Sequence, residues 1–260
     1  MKQYQALVKF NRQVSNRYWH MEIDRTTMNV DIQPGQFFHI RCADHFSPFL
    51  RRPFSIYQIN KDTIEFLYLV KGLGTKAMTT IQEGDHIDLV GPLGNGFVIP
   101  DFAKSILLVA RGVGVATLAA IAQEAFEKNV HVVAVLSART RDDLLASEYL
   151  EGFGATVYRV TEEEGNSDVD HVRGLIEEEI LKEHEIDTIY TCGSKRLSRL
   201  SQRIAKENNI YGEIALEEHM GCAMGACFAC VCDIQEEEEM KSVRVCIEGP
   251  VFPLSKVVIE

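Results

Sequence analysis

Residues 222–232 read CAMGACFACVC, and Cys246 follows inside VRVCIEGPVF (243–252). Four of the chain's seven cysteines fall in those eleven residues. Cys222, Cys227 and Cys230 form C-x4-C-x2-C, and fifteen residues separate Cys230 from Cys246. This is the plant-type [2Fe–2S] spacing, in which one tight loop supplies three thiolates and a distant turn the fourth. The small residues fit that chemistry. Gly221, Ala223, Gly225, Ala226 and Ala229 let the backbone wrap closely and aim amides at sulfur. Zinc is the rival metal, but its sites usually pair C-x2-C with a second such pair or with histidines, and no second pair is present. A metal-free thiol cluster is the third reading. Cys232, two residues beyond Cys230, could share its face in a strand; as a small apolar residue it reads more simply as core.

Outward from the cysteines, residues 216–260 form a Cys- and Gly-rich tail with an acidic run at Glu236–Glu239, expected as a solvated hairpin or loop. Forty-five residues are too few for a comfortable core, so something else must hold them. The whole chain has 260 residues, 46% hydrophobic and 25% charged, as in an ordinary globular protein. A net charge of −11 argues against nucleic acid as a partner. The polar start MKQYQALVKFNRQV has no apolar h-region, and no run is long enough to span a membrane. A cytoplasmic protein is expected, where clustered cysteines signal metal or redox chemistry before disulfides.

Two blocks precede the tail. Residues 1–100 carry six short β-branched and aromatic runs, YQALVKF, RYWHMEI, QFFHIRC, FSIYQI, TIEFLYLV and HIDLVG, which predict a small antiparallel barrel. Residues 101–215 alternate. The strands SILLVA, VHVVAVL, ATVYRV and DTIYTCG are separated by the helices ATLAAIAQEAFEKN, RDDLLASEYLEGFG and DHVRGLIEEEILKEH, and RLSRLSQRIAKENN follows. Buried strands alternating with helices predict a parallel sheet covered on both faces. The fold expected is thus multi-domain β plus α/β: a barrel, a Rossmann-like domain and a small cluster module.

Within the barrel, LRRPFSIYQI (50–59) sets two arginines in a strand-like context. Such a pair is costly unless it meets an anion, and a diphosphate or flavin phosphate would supply one. Downstream, FLYLVKGLGTKAM (66–78) ends a strand, turns through Gly72 and Gly74, and starts a helix near Thr75, a natural diphosphate seat.

The RPFS stretch, the later Gly-rich loop, the CG after a strand and the cysteine tail resemble the ferredoxin-NADP reductase superfamily. More closely, LEEHMGCAMGACFACVCDI, VRVCIEGPVF and GPLGNGF (91–97) resemble the electron-transfer subunits of class 1B dihydroorotate dehydrogenase, over essentially the whole chain. The resemblance implies FAD on the barrel. Arg52, Pro53, Phe54 and Ser55 would line the isoalloxazine and phosphate region, Leu67, Tyr68 and Leu69 would run along the ribityl and ring, and Gly74 and Thr75 would bind the diphosphate. The parallel domain would bind NAD(H).

LLVARGVGVATL (107–118) has strand, turn and helix in the order a dinucleotide loop needs. It departs from the family at Arg111, where a glycine is usual, and at Thr117, where proline is usual; Gly112 and Gly114 remain. Arg111 could add charge to the site or point to solvent. Cys192 in TCGS would sit near the nicotinamide, or be a buried strand-end residue. Ser137 and Arg139 could contact a 2′-phosphate, which leaves NADH and NADPH both open.

The expected function follows. Electrons pass between NAD(H), FAD and the [2Fe–2S] cluster, to or from an FMN-containing catalytic subunit of pyrimidine biosynthesis in an assembly of two plus two chains. The rivals are a paralogue serving another anaerobic dehydrogenase or reductase, and a degenerate reductase fold that holds a structural metal.

Overall fold

The computed structural model describes residues 1–43 and 47–259. The first block forms β1 (Lys2–Gln13), β2 (Tyr18–Asp24), β3 (Phe37–Ile40), β4 (Arg52–Ser55), β5 (Gln58–Ile59), β6 (Thr63–Leu69), the short helix α1 (Leu73–Met78) and β7 (His86–Leu93). All seven strands join one antiparallel sheet in the order β4-β3-β7-β1-β2-β6-β5. The run FSIYQI, expected as a single strand, is cut at Ile56–Tyr57 into β4 and β5, which lie at opposite edges of that order. Two residues can join the two edges only if the sheet rolls back on itself, so the expected barrel is present as a curled sheet. A register shift between Val8 and Phe10 marks an irregularity in β1, a device that bends strands. Inside the roll, Met21, Ile23, Phe38, Ile40, Ile64, Phe66 and Leu89 form the core.

The second block supplies β8 (Ser105–Arg111), α2 (Gly114–Glu127), β9 (His131–Ala138), α3 (Ser147–Gly152), β10 (Thr156–Thr161), α4 (Val169–Gly174), α5 (Leu181–Glu183), β11 (Thr188–Cys192), α6 (Lys195–Glu207) and β12 (Tyr211–Ala215). A π-helical stretch, Leu175–Ile180, joins α4 to α5, so the expected helix is continuous but locally widened. RDDLLASEYLEGFG is not one helix. Only a single 3-10 turn (Arg141–Asp143) and α3 form, because Ala146 between them sits in the left-handed region at φ 61°.

The sheet order is β10-β9-β8-β11-β12-β15, where β15 (Val251–Pro253) comes from the tail and pairs antiparallel with β12. The other neighbours are parallel. The order reverses between β8 and β11, and ligands of such sheets bind at the carboxyl ends of the strands beside that reversal. The tail also forms a hairpin, β13 (Val231–Glu236) with β14 (Glu239–Arg244), whose tip is the acidic run. Its apolar residues Ile234, Val245, Phe252, Leu254 and Val257 pack in one core with Leu107, Val109, Val133 and Ile189. That shared core and the β12–β15 pairing are what hold the tail. Asn95 of the GPLGNGF stretch ties the barrel to it, taking the Gly249 carbonyl at 2.6 Å and the Glu248 carbonyl at 2.8 Å. Gly94 must lack a side chain, since a Cβ there would lie 2.4 Å from Pro250 Cδ. Among the described residues no helix is long and apolar enough to cross a membrane.

Candidate functional site

β4 runs along β3, with Arg52 opposite Ile40 and Ser55 opposite Phe37. Adjacent residues of a strand face opposite sides, so the two arginines diverge. Arg51 turns to β7, where Nη2 donates to Asp88 Oδ2 at 2.8 Å and Nη1 to the Asp88 carbonyl at 2.9 Å. Gln3 Nε2 donates to the same carboxylate at 2.9 Å. Burial works against that charge, but Arg51 and Gln3 outweigh it and hold Asp88 below the usual carboxylate range. An external anion for both arginines was the expectation; for Arg51 the anion is internal. Arg52 Nη1 donates to the carbonyls of Leu50 and Arg51, at 2.8 and 3.0 Å, and has no carboxylate partner among the described residues.

Arg52 borders a cleft of about 650 Å³, and so do Pro53, Phe54, Ser55, Leu67, Tyr68, Leu69, Gly74 and Thr75. Every residue assigned from the barrel to the flavin therefore lines one concavity. Two of them are committed elsewhere as well. The Tyr68 ring is buried edge-on to Phe54 and its hydroxyl donates to Asn11 Oδ1 at 2.9 Å. Thr75 Oγ1 accepts from the Lys71 amide at 3.0 Å and the Gly72 amide at 3.2 Å, closing the first turn of α1.

The rest of the cleft wall comes from the other two blocks. Val113, Ala116 and Thr117 face it from the first turn of α2, and residues 216–221 with Ala229 face it from the tail. Ala229 lies between two of the cluster cysteines, so the cleft touches the cysteine loop directly. Glu217 is a cleft residue that the sequence reading missed. Its Oε1 lies 4.0 Å from Cys192 Sγ. The surrounding walls push its carboxyl up, with Lys71 pulling the other way. Nothing in the local pattern marks an acidic residue just before the cysteine loop; its position directly after β12 was the only available signal.

Cys192, Gly112 and Gly114 stand at the sheet reversal, behind the cleft wall. Cys192 is 2% exposed, and burial pushes its thiol well above the ordinary value. Gly114 serves packing: a Cβ would lie 2.6 Å from the Cys192 carbonyl oxygen and 2.7 Å from Gly193 Cα. The two strand-end turns thus touch backbone to backbone. Arg111 neither points to solvent nor offers a free charge. Its Nη1 donates to Ser137 Oγ at 2.5 Å and its Nη2 pairs with Glu162. Ser137 is buried and occupied by this contact, which removes it from the expected 2′-phosphate position.

In the cysteine loop, Cys222 Sγ accepts the amides of Met224, Ala226 and Cys227 at 3.4, 3.3 and 3.4 Å. Burial raises its pKa, but these donors and Cys227 outweigh it and bring the thiol to about 7. Burial and the neighbouring Cys230 thiol push Cys246 to about 11. The four sulfurs thus meet as two pairs, Cys222 with Cys227 and Cys230 with Cys246. Among the described residues no three His, Cys, Asp or Glu side chains converge as a single-ion site. Two thiol pairs with amides already aimed at sulfur fit a two-iron cluster better than one tetrahedral zinc. Arg244 braces the loop, donating to the Gly225 carbonyl at 3.0 Å and lying 5.1 Å over the Phe228 ring, while Glu248 fixes its other face at 2.5 Å. Cys232 is half-buried against the core, and burial raises its thiol to about 11.

Residues 217–258 match the model of the iron–sulfur cluster binding domain of dihydroorotate dehydrogenase B, and residues 108–203 match the oxidoreductase NAD-binding domain. Over 265 aligned residues, covering 100% of both chains, the protein is 35% identical to the dihydroorotate dehydrogenase B (NAD(+)) electron transfer subunit of Bacillus cereus strain Q1. The subunit of the same name from Bacillus anthracis strain A0248 is equally similar, 35% identical with 100% of each chain covered. Among solved structures, a chain of the NADH-dependent reduced ferredoxin-NADP oxidoreductase superposes with a TM-score of 0.81 at 23% identity, covering 98% of this chain and 90% of that one. A ferredoxin NADP+ reductase from Neisseria gonorrhoeae, solved with bound FAD and NADP, superposes with a TM-score of 0.65 at 17% identity, covering 81% and 93%.

Proposed function

The chain belongs to the family of dihydroorotate dehydrogenase B electron-transfer subunits, and from that premise we propose that it carries electrons between NAD(H), FAD and a [2Fe–2S] cluster, to or from a catalytic subunit. The observation that carries this reading is the single cleft shared by all three blocks, bordered by Arg52 on one side and by Ala229 of the cysteine loop on another. A bound flavin exchanges two electrons with a nicotinamide and releases them singly to an iron–sulfur cluster, while the protein supplies binding and alignment.

Arg52 has the charge and freedom to meet the FAD phosphates, with Gly74 and Thr75 alongside. Pro53, Phe54 and Ser55 would flank the ring system, and Leu67, Tyr68 and Leu69 would run along ribityl and ring. Cys222, Cys227, Cys230 and Cys246 would hold the cluster, one iron to each pair. Gly112, Gly114 and Cys192 mark the end where NAD(H) would approach. The catalytic partner we propose is an FMN-containing subunit that oxidises dihydroorotate for pyrimidine synthesis, in an assembly of two plus two chains. The relatives' names support a catalytic partner, since an electron-transfer subunit implies one.

The test is an anaerobic titration of the purified protein, with FAD and iron assayed beforehand. NADH should bleach the flavin band in wild type, and also in Cys227→Ser at a comparable stopped-flow rate, while transfer to the catalytic subunit collapses in the variant. A protein purified with neither flavin nor iron, or flavin bleaching that vanishes with the cluster, would overturn the scheme.

A further inference from the structure

Between β8 and α2 the chain turns at Gly112, at φ 54°. The Gly112 amide is used by the Ser137 carbonyl at 2.9 Å, whereas the amides of Val113 and Gly114 have no acceptor among the described residues. α2 is fourteen residues long, so its first turn carries the partial positive charge that favours an anion. The adjacent Arg111 cannot reinforce that charge, because Ser137 and Glu162 consume it. An anion at this turn needs its side-chain contacts from somewhere else.

The barrel offers one. Tyr18, the first residue of β2, is 4% exposed, and its hydroxyl lies 3.2 Å from where a Gly112 Cβ would stand. That hydroxyl has no hydrogen-bond partner among the described residues. A largely buried phenol is normally hydrogen-bonded, so the vacancy at its tip points to a missing acceptor. Arg17 lies over the Tyr18 ring at 5.7 Å, but its charge is met by Asp143 at 3.6 Å, which also accepts Ser15 Oγ at 3.1 Å. Arg139, just past β9, is exposed and has no ion-pair partner among the described residues. Burial and Asp143 raise the Tyr18 pKa, and Arg17, Arg139 and Arg111 pull less strongly the other way, so the phenol stays a proton donor at neutral pH.

We propose that the Tyr18 hydroxyl and the Arg139 guanidinium bind the diphosphate of the dinucleotide at the first turn of α2, so that NAD(H) is held from the barrel as well as from the parallel sheet. This rests on the NAD(H) reading above. Its consequence is mechanical: a nucleotide gripped from both domains is positioned by their joint, which Gln123 closes through its paired contacts with Ile59 at 2.8 and 3.2 Å.

The probe is ADP-ribose, which carries the diphosphate and lacks the nicotinamide, titrated calorimetrically into FAD- and iron-loaded protein. Tyr18→Phe keeps the packed ring and removes only the donor. Its affinity should fall about tenfold, as for loss of a charge-assisted hydrogen bond, with FAD and iron contents unchanged. Arg139→Gln should lower affinity several-fold and flatten its salt dependence. Equal affinity in wild type and Tyr18→Phe overturns the proposal. So does an Arg139→Gln effect confined to 2′-phospho-ADP-ribose, because Arg139 would then read the ribose. Should Tyr18→Phe shed its flavin, the exposed Arg139 decides alone, and unchanged affinity in its variant overturns the proposal. Failure of wild type to bind ADP-ribose at all would instead overturn the NAD(H) reading.

Discussion

Arg51 and Arg52 are chemically identical neighbours with opposite employment. Asp88 neutralises the first, and the second keeps its charge for the cleft. Arg52→Ala should therefore purify depleted of FAD with its iron content intact. A charge-assisted contact is worth about 1.5–3 kcal/mol, enough for a tenfold or greater loss of FAD affinity. Unchanged FAD occupancy would count against the barrel site. A second residue-scale prediction concerns pH. His39 on β3 is buried, and its Nε2 has no partner among the described residues. Burial, aided by the nearby Arg51 charge, lowers its pKa from 6.5 to about 4. The folded state binds the proton less tightly than the unfolded chain, so the stability His39 contributes is complete above pH 6.5 and is lost as pH falls through 4. The shift corresponds to on the order of 3 kcal/mol. Urea unfolding of wild type and His39→Gln between pH 7 and 4 should show the wild type losing more; parallel profiles would refute the assignment.

At the scale of elements, the cysteine loop is a backbone device as much as a set of thiols. Three amides already point at Cys222, and Arg244 pins the loop through the Gly225 carbonyl. We expect Cys222→Ser, Cys230→Ser and Cys246→Ser each to lose most of the bound iron, and Cys232→Ser, whose side chain packs on the core, to retain it. Iron analysis that reversed Cys246 and Cys232 would break the ligand set. Periodicity located α2, α6 and the four central strands, since each buries a regular face. It failed over 141–154, where apolar spacing alone suggested a helix, and Ala146 in the left-handed region interrupts the chain. It also passed over β12 and β15, which are short and depend on each other for pairing.

At the scale of the whole molecule, the tail is built into the sheet before it. Ending the chain after residue 215 would remove β15 from the sheet edge and Val245, Phe252 and Leu254 from the shared core. Losing several buried side chains at about 2–5 kcal/mol each exceeds the stability of most domains, so residues 1–215 should not melt cooperatively. A soluble truncation with a melting temperature near wild type would contradict this. By itself the sequence determined what is local: the C-x4-C-x2-C ligand spacing, the change from strand runs to alternating strand and helix, and the RPFS and Gly-rich turns. These depend on residues a few positions apart, so pattern alone exposes them. Only the tertiary structure decided that Asp88 consumes Arg51, that Ser137 and Glu162 consume Arg111, that Glu217 faces Cys192, and that Tyr18 reaches Gly112 from another domain. Each pairing joins residues far apart in the chain, and the rolling of one sheet against another, which no local pattern records, brings them together.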